Sequence, residues 1–119
     1  MTVLTRPILE IDLNNLLDNY HTLQKIAGEA VCAAVVKDDA YGLGDANVVP
    51  MLYKEAGCRH FFVAHAIEAE RIVSLIPEAT IFVLQGIGED CLEIFRKCLI
   101  FGKQTDRINA NRQSRLKPD

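Results

Sequence analysis

From Val31 to Val36 the chain reads V-C-A-A-V-V, and the next residues are Lys37-Asp38-Asp39-Ala40-Tyr41-Gly42-Leu43-Gly44. A continuously apolar, β-branched run of this length is expected as a strand buried on both faces of a parallel sheet. It delivers one lysine from its end into a tight, glycine-containing turn. Entering a partly dry pocket there, an amine loses some of the solvation that favours its charged form, which frees the lone pair for a carbonyl. Lys37 is therefore a candidate covalent anchor for Schiff-base chemistry. The plain alternative is a lysine that lays its stem along apolar surface and keeps its ammonium in water. On that reading Tyr41 is a turn aromatic, and Gly42 and Gly44 simply permit positive φ.

Around this run, strand and helix patterns alternate. Ile8 to Leu13 alternates apolar and charged residues and predicts a half-exposed strand. Leu13, Leu16, Leu17, Tyr20 and Leu23 recur at helical spacing, so a helix is expected from about Asn14 until Gly28, capped by Asp12 or Asn14. A second helix is expected over Asp45 to Ala56, ended by Gly57, with Pro50 tolerable in its first turn or at a kink. Phe61 to Ala64 and Ile81 to Leu84 read as further strands, separated by a helical Ile67 to Leu75 that stops near Pro77. Gly86 and Gly88 turn the chain into a last helix, about Glu89 to Lys97. Strand then helix, three times with short loops, predicts right-handed βαβ units and a parallel sheet. Periodicity alone leaves a barrel and an open doubly wound sheet equally available.

Half of the 119 residues are apolar, about a quarter are charged, and the net charge is −3. That balance suits a soluble globular body and argues against a nucleic-acid partner. No apolar stretch approaches the roughly 20 residues of a membrane span, and the first residues lack the shape of a signal peptide, so cytoplasm is the expected compartment. Cys32, Cys58, Cys91 and Cys98 form no C-x-x-C pair and read as small buried hydrophobes rather than zinc ligands. His60 and His65 flank a strand without helical metal spacing, and His21 lies in a helical stretch. His65 alone falls at a strand's carboxyl end, the face where barrel enzymes place chemistry, although an ordinary polar strand end is the commoner meaning.

The run A-V-V-K-D-D-A-Y-G-L-G resembles the pyridoxal-phosphate signature of alanine racemases, with Lys37, Ala40, Tyr41, Gly42 and Gly44 matching. Leu43 stands where that family often has histidine. Asp38 departs from a usual alanine and brings a carboxylate one residue from the lysine; on a strand it would point to the opposite face. The likeness continues through R-P-I-L-E-I-D-L-N-N-L-L at Arg6 to Leu17, Y-K-E-A-G-C-R-H-F-F-V-A at Tyr53 to Ala64, and Ile81 to Gly86, covering about residues 6 to 100 in register.

What this resemblance implies is a (β/α)8 barrel of TIM type, of which the chain holds the first three βα units and an amino-terminal strand. It implies pyridoxal 5'-phosphate as cofactor and an isomerase that interconverts L- and D-alanine for peptidoglycan synthesis. Lys37 would be anchor and one of two bases, Tyr41 would bind the phosphate through its hydroxyl, and Leu84 would pack near the cofactor ring. The family's second base comes from a partner subunit of a homodimer and lies outside these residues. The alternative is a non-catalytic remnant, or a module of the same barrel family that binds or handles the cofactor.

Such a barrel needs about 250 residues. From Gly102 to Asp119 only Ile108, Ala110 and Leu116 are apolar, and five basic residues against two acids make this segment +3 where the preceding body is −6. Residues 1–101 are accordingly expected to be barrel and residues 102–119 a basic, disordered tail. The change near Phe101 reads as a frameshift or premature stop, leaving a truncated chain, with a natural disordered tail as the weaker alternative.

Overall fold

The computed structural model describes residues 5–86 and 88–101. The expected tail, 102–119, lies outside them. The chain forms helix α1 (Leu13–Ala27), strand β1 (Ala34–Val35), the short helical segment α2 (Lys37–Tyr41), α3 (Asp45–Glu55), β2 (His60–Val63), α4 (Ala66–Ile72), β3 (Thr80–Val83) and α5 (Leu92–Phe101). Single 3-10 turns follow α4 at Val73–Leu75 and precede α5 at Glu89–Cys91.

The three strands are parallel in the order β1-β2-β3, with Ala34 opposite Phe61 and Phe61 opposite Ile81. Sequential parallel strands with helical crossovers are the geometry in which a (β/α)8 barrel begins. Alternation along each strand splits the sheet into two unlike faces. Ala34, Val36, Phe61, Val63, Ile81 and Val83 are buried with Val49, Leu52, Ala69 and Ile72 of the helices. The opposite face carries Val35, Phe62 and Phe82, whose rings stack at 4.6 Å between Phe62 and Phe82, and Val35 is 47% exposed.

This corrects the expectation that the first strand is buried on both faces. β1 is also shorter than Val31 to Val36: Val31 is 71% exposed and only Ala34–Val35 pair, although the N–H of Val36 still donates to Phe62 O at 2.9 Å. The amino-terminal strand expected over Ile8 to Leu13 is not formed. Residues 8–12 have no regular structure, Ile8 and Leu9 are about three-quarters exposed (77% and 76%), and Leu13 already begins α1. A strand needs a neighbour for its backbone groups, and none of the described strands pairs with this segment.

Local chemistry explains the helix ends. Asp12 caps α1, its carboxylate accepting from the N–H of Asn14 at 2.9 Å and of Asn15 at 3.2 Å, and Gly28 closes the helix at φ 62°. The Tyr20 hydroxyl donates to Cys32 O at 2.6 Å, which ties α1 to the chain entering β1. Pro50 is not in the first turn but inside α3, so the Ala46 carbonyl loses a helical donor there. Burial of Val48, Val49 and Leu52 on the same helix keeps it docked. Cys58 is buried as expected, while Cys32 and Cys91 are half-buried.

Candidate functional site

The three strands end together at their carboxyl edge, where Lys37 follows Val36, Ala64 follows Val63 and Leu84 follows Val83. Lys37 is half-buried and opens α2. This segment is left-handed: Asp38, Asp39, Ala40 and Tyr41 all have φ between 54° and 56°. Gly42 follows at φ 83° and Gly44 at φ 94°. No run of L-residues favours this conformation, which costs each of them roughly 1–2 kcal/mol. It persists only where surrounding contacts over-determine it.

Those contacts come from inside the turn and from two neighbouring helices. Within the turn, the N–H of Ala40 donates to Val36 O at 3.1 Å, that of Gly42 to Asp38 O at 3.0 Å and that of Gly44 to Asp39 O at 2.9 Å. The Asp39 carboxylate accepts from the N–H of Asp45, the first residue of α3, at 2.9 Å. From α4, Arg71 reaches Asp45 at 3.0 Å and Asp39 at 3.4 Å. One turn earlier on α4, the buried Glu68 carboxylate accepts from the N–H groups of Asp38, Ala64 and His65, the last two at 2.9 Å.

Charge follows this wiring. Burial pushes the Glu68 carboxyl up, but the N–H groups of His65, Asp38 and Ala64, together with the His65 ring, outweigh burial and hold it below the ordinary carboxylate range. Asp39 is held low mainly by the Asp45 N–H, with help from Arg71. Asp45 is pushed up by burial and by the neighbouring Asp39, against the pull of Arg71.

The Lys37 ammonium is left out of these pairs. Its Nζ lies 6.0 Å from the centroid of the Tyr41 ring, and no ion pair among the described residues includes it. Asp38 does not sit on a strand opposite Lys37, as expected, but within the left-handed turn, with its side chain lining a recess beside Glu68 and Arg71. Lys37 and Tyr41 thus share one turn, and Tyr41 is exposed. Leu84 lies two strands away with β2 between, exposed, its N–H donating to Val63 O at 2.9 Å. His65 is the residue before α4, and beside it a second recess of about 390 Å³ runs to Gln85, Asp90 and Ile94.

Glu68, Arg71 and Asp45 were not singled out by the sequence reading. A glutamate three residues after a helix's first flanking residue is a capping pattern, so His65-Ala66-Ile67-Glu68 held a legible signal for the local half of Glu68's role. Its reach to Asp38, thirty residues earlier in the chain, had none.

A half-buried lysine at a strand end, with the Glu68, Asp39 and Asp45 carboxylates engaged by other donors, fits a covalently attached carbonyl cofactor. Among the described residues there is no cluster that could hold a metal ion, and no helix is long and apolar enough to cross a membrane.

Over residues 11–101 the chain matches the family described as alanine racemase, N-terminal domain. It is 54% identical over 88 residues to an alanine racemase of Methylobacterium nodulans, an overlap of 74% of this chain and 24% of that protein. To the catabolic alanine racemase of Agrobacterium fabrum it is 55% identical over 80 residues, 66% of this chain and 20% of that one. In three dimensions it is similar to the alanine racemase from Bartonella henselae with covalently bound pyridoxal phosphate, at a TM-score of 0.67 and 40% identity, covering 73% of this chain and 25% of that one. The chain spans a fifth to a quarter of the length of these relatives. With the family match over residues 11–101 and relatives aligned over about three-quarters of it, the chain belongs to the alanine racemase family, in the part that forms its N-terminal domain.

Proposed function

We propose that this chain is the cofactor-anchoring portion of a pyridoxal 5'-phosphate-dependent racemase acting on alanine, with Lys37 as the anchor. The observation that carries this reading is the half-buried Lys37 at the end of β1, in no ion pair among the described residues, in a chain similar to a racemase whose structure holds the cofactor covalently. When bound, the cofactor's ring supplies an electron sink for the carbanion left as an amino acid loses its α-proton. With the cofactor bound, Lys37 would hold it through Nζ and would serve as the base that takes or returns the α-proton on one face of the substrate. Tyr41, in the same turn, offers its hydroxyl to the phosphate. Leu84 offers an exposed apolar side chain at the end of β3 for packing near the ring.

The test is reduction of the 119-residue chain with borohydride in the presence of pyridoxal 5'-phosphate, followed by peptide mapping. Label is expected at Lys37 and is expected to vanish in Lys37→Ala. Label confined to the exposed Lys25 or Lys54 would reject the anchor.

A further inference from the structure

We propose that Glu68 is the positioning residue for Lys37, fixing the plane of the Lys37–Asp38 peptide from helix α4. The inference rests on the reading of Lys37 as anchor and adds a residue that acts on it without touching the cofactor.

The N–H of Asp38 belongs to the peptide bond that leaves Lys37, so whatever holds that N–H holds ψ of Lys37 and the direction in which its side chain departs. Glu68 Oε2 accepts this N–H, while Oε1 accepts those of Ala64 and His65, each at 2.9 Å. One carboxylate thus joins the carboxyl end of β2, the start of α4 and the first peptide of the left-handed turn. The side chain is buried at 9% exposure, so water does not compete freely for these donors. Both oxygens must be acceptors, because all three partners are N–H groups. A neutral glutamine can satisfy one side only: if its carbonyl oxygen serves Ala64 and His65, its amide nitrogen faces the Asp38 N–H, donor against donor. Aspartate, one methylene shorter, can serve the α4 amides but does not span to Asp38.

The decisive experiment compares the 119-residue chain with its Glu68→Gln variant in two readouts, with circular dichroism as the check on folding. Amide exchange by NMR is expected to be at least about tenfold faster at Asp38 in the variant, with Ala64 and His65 changed by less than about twofold, since a bond to a charged acceptor is lost at one end alone. In the pyridoxal 5'-phosphate and borohydride assay, the ratio of label at Lys37 to label at Lys25 and Lys54 is expected to fall about tenfold, a selectivity that uniform destabilisation would not produce. Unchanged exchange at Asp38 overturns the proposal, as does loss of Asp38 protection with the Lys37 ratio intact. Should Glu68→Gln fail to fold, Glu68→Asp is expected to give the same selective pattern and is judged by the same outcomes. If the unaltered chain is labelled only at Lys25 or Lys54, the anchor reading fails and the positioning role falls with it. Asp38 exchange then still reports whether Glu68 holds the turn.

Discussion

Glu68 joins three segments through a single carboxylate, which makes stability depend on its charge. Its folded-state pKa lies below the ordinary glutamate value of 4.5, so the stability it contributes is complete above that value and is lost as pH falls through the lower folded one. Asp39, also lowered, acts in the same direction, whereas the raised Asp45 acts in the opposite one and stabilises relatively as acid is added. Urea unfolding measured from pH 7 down to pH 3 is expected to show a shallower acid loss in Glu68→Gln than in the unaltered chain. Equal pH slopes for the two would show that Glu68 does not carry the acid dependence. At this scale the position of Lys37, after a strand and before a glycine turn, was legible from its neighbours, because both are local patterns. Glu68 was not, because an acceptor's distant donor is set by how helix and turn come together in space.

Among the elements, the left-handed segment α2 departs furthest from what its composition favours. None of Asp38, Asp39, Ala40 and Tyr41 is a glycine, yet all lie at positive φ, and only Gly42 and Gly44 announced such a conformation. Gly42 closes the segment at φ 83° and ψ 0°, and a Cβ built there meets nothing within 4 Å. Gly42→Ala is therefore expected to cost about 1 kcal/mol through backbone conformation alone, read as a lower urea midpoint. A midpoint unchanged or raised would mean that the turn relaxes to another conformation. The ordinary helices were more legible: Asp12 and Gly28 bound α1 as expected, because caps are short-range hydrogen-bond and φ requirements. Ile8 to Leu13 has the alternation of a strand, but residues 8–12 pair with none of the described strands and are irregular, and Leu13 opens α1. Pattern describes which face a strand would bury, and hydrogen bonding decides whether the strand exists.

At the scale of the whole molecule, the described helices cover one face of the sheet and leave the other open. Val35 is 47% exposed on that face, in the row that includes the stacked Phe62 and Phe82, and among the described strands β1 and β3 are both edges. An apolar face beside unpaired strand edges favours association. The 119-residue chain is expected to self-associate as its concentration rises, and Val35→Lys to shift sedimentation toward the monomer; equal sedimentation of the two would exclude this face as the contact. The order α1, β1, α3, β2, α4, β3, α5 and the lysine at a strand end followed from the sequence by itself, since each depends on residues within a few positions of one another. Which face of the sheet is covered, the left-handed path after Lys37, and the joining of that path to α4 through Glu68 and Arg71 were decided only by the tertiary structure. Those features depend on groups about thirty residues apart in the chain, whose N–H groups and charges find acceptors only after β1, β2 and α4 have packed together.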